Sequence, residues 1–296
     1  MKSSLQALLD TGQPIVADGG MGSMLIAQGL RQGESPERWN VDYPERVRQI
    51  HRDYIEAGAQ IILTNSFGGN RIRLGRGDLA GRAEELNRAA AELARAEADA
   101  AENEVVVGGS MGPTGEMLEP YGDLPFDEAS DAFEEQARAL VEGGVDVLWI
   151  ETIADLEELR AAVQGARRAA PDTPIVATMT FDTNGRTMMG VSPEQAIRAL
   201  REHGVIALGA NCGNGPLEIE TVIEQMRAID VTIPLVAKAN AGLPHMEGDR
   251  PVYDATPDDM GDYAGRVRDQ GAQIIGACCG STPAHIAAIA KALRVS

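Results

Sequence analysis

Four times along the chain a helix-length amphipathic stretch ends in an acidic residue, one further residue and a glycine, then runs into an apolar segment. The four segments are EAGAQIILTNS, EGGVDVLWIET, EHGVIALGANC and DQGAQIIGACC. Gly58, Gly144, Gly204 and Gly271 each close a helix in the left-handed conformation that glycine tolerates. The apolar run behind each glycine, with no polar alternation, predicts a strand covered on both faces, as in a parallel sheet. Seven residues beyond the glycines stand Asn65, Glu151, Asn211 and Cys278; one further on stand Ser66, Thr152, Cys212 and Cys279. Polar and reactive side chains thus reach one register, at the carboxyl ends of strands. A core has no use for that pattern, whereas a shared active-site face does.

Four more strand candidates lie between these, at residues 14–17, 104–108, 174–178 and 233–237. Helical periodicity separates them at residues 44–57, 78–101, 127–142, 155–169, 193–202, 218–228, 257–269 and 283–293. Several begin with a cap residue before proline: Ser192-Pro193, Thr256-Pro257 and Thr282-Pro283. Strands and helices alternating eightfold predict an α/β fold, a (β/α)8 TIM barrel. The competing arrangement is an open doubly wound sheet. The barrel is preferred because the first, fourth, sixth and eighth strands all end in side chains capable of chemistry, and only closure brings those ends around one axis. With no linker in the chain, residues 1–296 read as one domain.

Composition narrows the picture. Aromatic residues are only 4% of the chain, so the core must be built from Ala, Val, Ile, Leu and Met. A net charge of −19 repels phosphate backbones and argues against a nucleic-acid partner. No run reaches the ~18 apolar residues of a membrane span. The opening MKSSLQALLDTGQP lacks the apolar stretch of a signal peptide, which predicts a cytoplasmic protein.

In that compartment the three cysteines do not suggest a disulfide framework. Cys212 sits in GANCGNGP, and Cys278 and Cys279 in GACCGSTP. Strands six and eight of a barrel can meet over its mouth, and Gly280 lets the strand stop so that two successive cysteines face one ion. Three thiolates select Zn²⁺ and leave a tetrahedral position open, as a catalytic zinc requires. Two rival readings are small buried core residues and a redox pair at Cys278-Cys279. Asp18-Gly19-Gly20 follows the first strand; the glycines free backbone N–H groups for a small carboxylate, while Asp18 could otherwise cap a helix. Glu151 ends VDVLWI, where a carboxylate is costly unless paired, with a substrate ammonium or a structural arginine. Asn65, Asn211 and Asn240 also end strands, where asparagine often satisfies turns. His245 reads as a surface residue and His285 as an ordinary helix residue.

Together these segments resemble the homocysteine S-methyltransferase family over nearly the whole chain. The resemblance rests on DGGMGSML (18–25), TNSFGGN (64–70), GGSMGPTGE (108–116), ET (151–152), GANCGNGP (209–216), KANAGLP (238–244) and GACCGSTPAHI (276–286). It implies a (β/α)8 barrel that forms methionine from homocysteine. It implies Zn²⁺ on Cys212, Cys278 and Cys279, with the homocysteine sulfur in the open position. It further implies Asp18 and Glu151 on the homocysteine amino group, Gly19 at the substrate, and Asn240 filling the open zinc position when substrate is absent. The betaine-using branch cages its donor with aromatic rings, but Gly68 stands here where that branch has Tyr, and only Trp39 lies near its Trp. TNSFGGN is closer to the homocysteine module of cobalamin-dependent methionine synthases. Methylcobalamin carried by a separate corrinoid protein is therefore the expected donor. The alternatives are betaine or another onium donor, and a zinc-holding relative that transfers no methyl group.

Overall fold

The computed structural model describes residues 4–31, 33–182, 184–230, 232–243, 245–247 and 250–294; Pro244, the end of KANAGLP, lies outside them. Eight parallel strands form one sheet: β1 (Ile15–Val16), β2 (Ile61–Leu63), β3 (Val106–Met111), β4 (Val147–Ile153), β5 (Ile175–Met179), β6 (Ala207–Cys212), β7 (Leu235–Ala239) and, after a small hairpin, β10 (Ala272–Ala277). The hairpin strands are β8 (His245–Glu247) and β9 (Arg250–Val252). Sheet order runs β1-β10-β7-β6-β5-β4-β3-β2. The two ends then join: Ala17 bridges Ile61 in parallel, Gln60 N donates to Val16 O at 2.8 Å, and Asp18 N donates to Ile61 O at 3.0 Å. The ring is closed, so the (β/α)8 barrel holds and the open sheet does not.

The local rules account for the elements. Gly58, Gly144, Gly204 and Gly271 have φ of +106°, +100°, +65° and +100°, the left-handed helix ends that their spacing implied. The helices Pro193–Glu202 and Pro257–Asp269 open on capping boxes at Ser192 and Thr256. One long helix starts later than its periodicity suggests. Residues 78–101 were expected to be helical throughout, but Asp78 turns left-handed at φ +58°, a 3-10 turn spans Ala80–Arg82, and the α-helix is Ala83–Ala100. β3 runs further than the expected 104–108 because its glycines are strand residues. A Cβ on Gly108 would come within 2.6 Å of the Leu63 side chain, so close packing rather than a turn requires that glycine.

Two apolar clusters result. One fills the barrel: alternate strand residues such as Ile15, Ile61, Val106, Trp149, Val176 and Ile274 point inward, and Leu5 and Leu9 of the N-terminal helix join them. The other lies between sheet and helices and is rich in Ala, Val, Ile and Leu. Among the described residues no helix is long and apolar enough to cross a membrane.

His51 is the odd member of this shell. It is fully buried on the helix Pro44–Glu56, and neither ring nitrogen has a hydrogen-bond partner. Burial pushes it down from an ordinary 6.5 to about 4, against a weak pull upward from Glu97. The unfolded chain therefore takes up this proton near 6.5 and the folded chain only near 4. Stability should fall as pH drops through that window, by up to about 3 kcal/mol. Thermal unfolding of His51→Leu should lose much of that acid slope; equal slopes in variant and parent would show that His51 does not cause it.

Candidate metal and thiol site

Two strand ends supply the sulfur cluster, and the end of β7 braces it. Cys212 is the last residue of β6 and is itself left-handed, at φ +60°. β10 stops at Ala277, and Gly280, at φ +80°, turns the chain immediately after Cys278 and Cys279. Two backbone bonds and one side chain hold the turn: Cys278 N donates to Ala239 O at 2.7 Å, Ala241 N to Cys279 O at 2.9 Å, and Cys279 N to the Asn240 side-chain Oδ1 at 3.0 Å. All three Sγ atoms lie within 4.8 Å of one another, and Cys212 and Cys278 are 2.8 Å apart. Among the described residues this is the one grouping of Cys, His, Asp or Glu side chains close enough to hold a metal ion.

The donor set fits zinc. Zn–S bonds of about 2.3 Å in a tetrahedron place sulfurs about 3.8 Å apart, so the closest pair would spread by only about 1 Å. Without a cation the three sulfurs divide their protons unequally. Hydrogen bonds from Cys212, Cys278 and the Tyr253 hydroxyl hold Cys279 well below the usual thiol range. Cys212 is pushed well above it by its hydrogen bonds to Cys278 and Cys279 and by burial. A divalent cation held by Cys212, Cys278 and Cys279 would remove that conflict by stabilising all three as thiolates.

A second group faces the same cavity from the barrel floor. Lys238, in β7, donates to Asp18 Oδ1 at 2.7 Å, and Leu63 N donates to Asp18 Oδ2 at 2.7 Å. The ion pair is buried, with side chains 2% and 1% exposed. Lys238 Nζ also sits 5.8 Å from the Trp149 ring centroid. Burial works against its charge, yet Asp18 and Glu151 together hold Lys238 above its ordinary range. Glu151 accepts from Ser110 Oγ at 2.5 Å. Burial, with the nearby Cys278 and Asp18 charges, pushes Glu151 up to about 7 against the opposing pull of Lys238 and Ser110. Two carboxylates share one ammonium, which leaves Glu151 short of a counter-charge and partly protonated near neutral pH.

Cys212, Cys278, Cys279, Asp18, Gly19 and Glu151 all line one cavity of about 780 Å³, which continues outward past Trp39 and Phe67. Gly19 is close-packed: a Cβ there would meet Ser281 Oγ at 2.5 Å and Tyr54 Oη at 2.8 Å. Asn240 stands beside the sulfurs with both ends of its amide on backbone, donating to Gly213 O at 2.7 Å and accepting from Cys279 N at 3.0 Å. His285 accepts from Thr282 N at 3.1 Å and contacts Ala255 O at 2.9 Å; His245 lies 3.4 Å from Asp254. Neither joins the trio.

Sequence reading missed Lys238, Ser110 and Tyr253. Lys238 carried a signal: it is a lone charge inside the run LVAKANAG, in a strand expected to be buried on both faces and drawn one residue short of it. Tyr253 did not, because its ring lies over Gly280 only through the β8–β9 hairpin.

A family model described as homocysteine S-methyltransferase matches residues 15–293. Methionine synthase of Mycobacterium tuberculosis is 35% identical over 295 residues, covering 94% of this chain and 24% of that protein. The Mycobacterium leprae methionine synthase is 34% identical with the same coverage. The chain thus spans about a quarter of the length of these curated relatives. The crystal structure of the homocysteine methyltransferase MmuM from Escherichia coli, metallated form, superposes with a TM-score of 0.82 at 27% identity, covering 97% of this chain and 99% of that one. Its apo form gives a TM-score of 0.74.

Removing one partner of the Asp18–Lys238 pair strands a buried charge. Lys238→Met should destabilise the fold by about 3–5 kcal/mol, measured by denaturant unfolding, whereas the same substitution at exposed Lys291 should cost little.

Proposed function

The chain belongs to the homocysteine S-methyltransferase family, and from that premise we propose that it methylates the sulfur of homocysteine to give methionine. The observation that carries this reading is the pairing, in one cavity, of three converging thiols with a carboxylate short of a counter-charge. A small amino acid bearing a thiol offers a partner to each.

Glu151 receives the substrate ammonium, which makes the Asp18–Lys238–Glu151 set electrically neutral. Lys238 keeps Asp18 ionised and oriented, and Asp18 completes the ammonium site through its electrostatic field. Gly19 lets backbone come close to the substrate carboxylate, while the Gly20 N–H is taken by Ser281 Oγ at 2.9 Å. A zinc ion on Cys212, Cys278 and Cys279 would supply the positive charge that keeps the homocysteine sulfur a thiolate at neutral pH. The sulfur forms a bond to the methyl carbon as that carbon's bond to the donor breaks, the electron pair leaving with the donor. Asn240, beside the trio, is the residue we assign to the open position when substrate is absent. We place the protein in the cytoplasm, where thiols stay reduced, acting as one domain.

For the donor we favour a methyl-corrinoid carried by a partner protein. The methionine synthase relatives support this. So does the outer cavity, whose aromatic faces already have cations of this chain: Arg46 lies 5.2 Å from the Trp39 centroid, and Arg73 lies 5.1 Å from that of Phe67. Trp39 is only 4% exposed. A caged onium donor would need those faces free. A small onium donor is the second reading: the homocysteine methyltransferase MmuM is matched over 99% of its own chain, so that chain carries no additional domain to hold a corrinoid.

The purified protein should contain one zinc per chain. Cys212→Ala should lose both the zinc and methionine formation; full activity in metal-free protein would end this reading. Glu151→Gln should weaken homocysteine binding by about 2 kcal/mol or more, some 30-fold in Kd, while retaining zinc. A screen of methylcobalamin, betaine, dimethylsulfoniopropionate, S-methylmethionine and S-adenosylmethionine identifies the donor. Retained zinc with no transfer from any donor would mark a catalytically silent relative.

A further inference from the structure

Asn211 is fully buried one residue before Cys212, and its amide is committed on every side. Oδ1 accepts from Thr152 N at 2.9 Å and from Thr178 Oγ1 at 2.7 Å. A backbone N–H can only donate, so the oxygen must face Thr152 N, which fixes the amide's orientation. Nδ2 donates to Thr152 Oγ1 at 2.7 Å. Its second hydrogen faces sulfur: Cys212 Sγ is 3.5 Å away and Cys278 Sγ 3.9 Å. The two residues flanking this amide are both left-handed, Thr152 at φ +63° and Cys212 at φ +60°. That conformation is costly for a β-branched residue and persists only where surroundings enforce it. The residue before Thr152 is Glu151, and the residue after Asn211 is Cys212. One side chain thus ties the carboxylate end of the cavity to its sulfur end.

We infer that Asn211 is a positioning residue that fixes Glu151 relative to the cysteine trio and sets the electron density on the Cys212 and Cys278 sulfurs. The inference rests on the reading that the trio holds a metal ion. An N–H aimed at a thiolate stabilises its lone pairs, and hydrogen bonds to ligating sulfurs tune what the metal receives from them. Asn211 touches neither substrate nor reacting atoms in this role; it acts through Glu151, Thr152 and the two cysteines.

Co²⁺ gives a readout independent of turnover. It is titrated into the full chain, and the sulfur-to-cobalt charge-transfer band is recorded for the parent, Asn211→Ala and Asn211→Asp. Losing the N–H raises the sulfur lone pairs in energy, so both variants should shift the band to longer wavelength. Asn211→Ala should also bind Co²⁺ about 10–100-fold more weakly. Asn211→Asp keeps the shape and both accepting contacts, so it carries the test if the alanine variant fails to fold. An unmoved band overturns the inference, including the case in which stability or affinity drops alone, since that marks a merely structural residue. A parent protein with no charge-transfer band overturns the metal reading itself, and that result is distinct from an unmoved band.

Discussion

Everything at the mouth of this barrel depends on the backbone contacts that close it, where residues 16–18 meet residues 60 and 61. In an open sheet, strands β1 and β2 would stand at opposite ends, and Asp18 could not receive Leu63 N. Closure puts the carboxyl ends of β1, β4, β6, β7 and β10 around one axis. Asp18, Glu151, Cys212, Lys238 and the Cys278-Cys279 turn come from those five ends. The apolar interior beneath them keeps out the water that would otherwise screen their charges.

Low dielectric then dictates the chemistry. Three thiols and two carboxylates are crowded over one buried ammonium, more potential negative charge than the site can carry unaided. The strain appears in the protonation: one sulfur is held down and another pushed up, and Glu151 rises to about 7. Asp18 is the better matched carboxylate: burial raises it too, but Lys238 and a backbone N–H pull against that rise. The remaining deficit is divided between two places, at the sulfurs and at Glu151. A divalent metal would answer the first and a substrate ammonium the second, and the proposal of a thiol-bearing amino acid as substrate rests on that match.

Geometry adds a constraint that charge does not. A regular strand would point Glu151 and Thr152, or Asn211 and Cys212, to opposite faces. The left-handed turns at Thr152 and Cys212 break that alternation where the site needs it. Asn211 grips both, so backbone strain is stored beside the sulfurs and stabilised by one buried amide.

Much of this was legible in the residues alone. The glycine-ended repeat located helix ends and strands, because a left-handed helix end and an unbroken apolar run are local requirements. The shared register placed Glu151, Asn211, Cys212 and Cys278 at strand ends, because strand length is set by the repeat. Other features were decided by the tertiary structure. The pairing of Lys238 with Asp18 spans 220 positions, and no local period encodes a contact made only when the barrel closes. The seat of Tyr253 over Gly280 depends on a hairpin outside the repeat. The arginines over Trp39 and Phe67 depend on how the outer loops pack. Periodicity reports which face of an element is buried; which buried groups then meet is settled by closure, and here the meeting of charges makes the site.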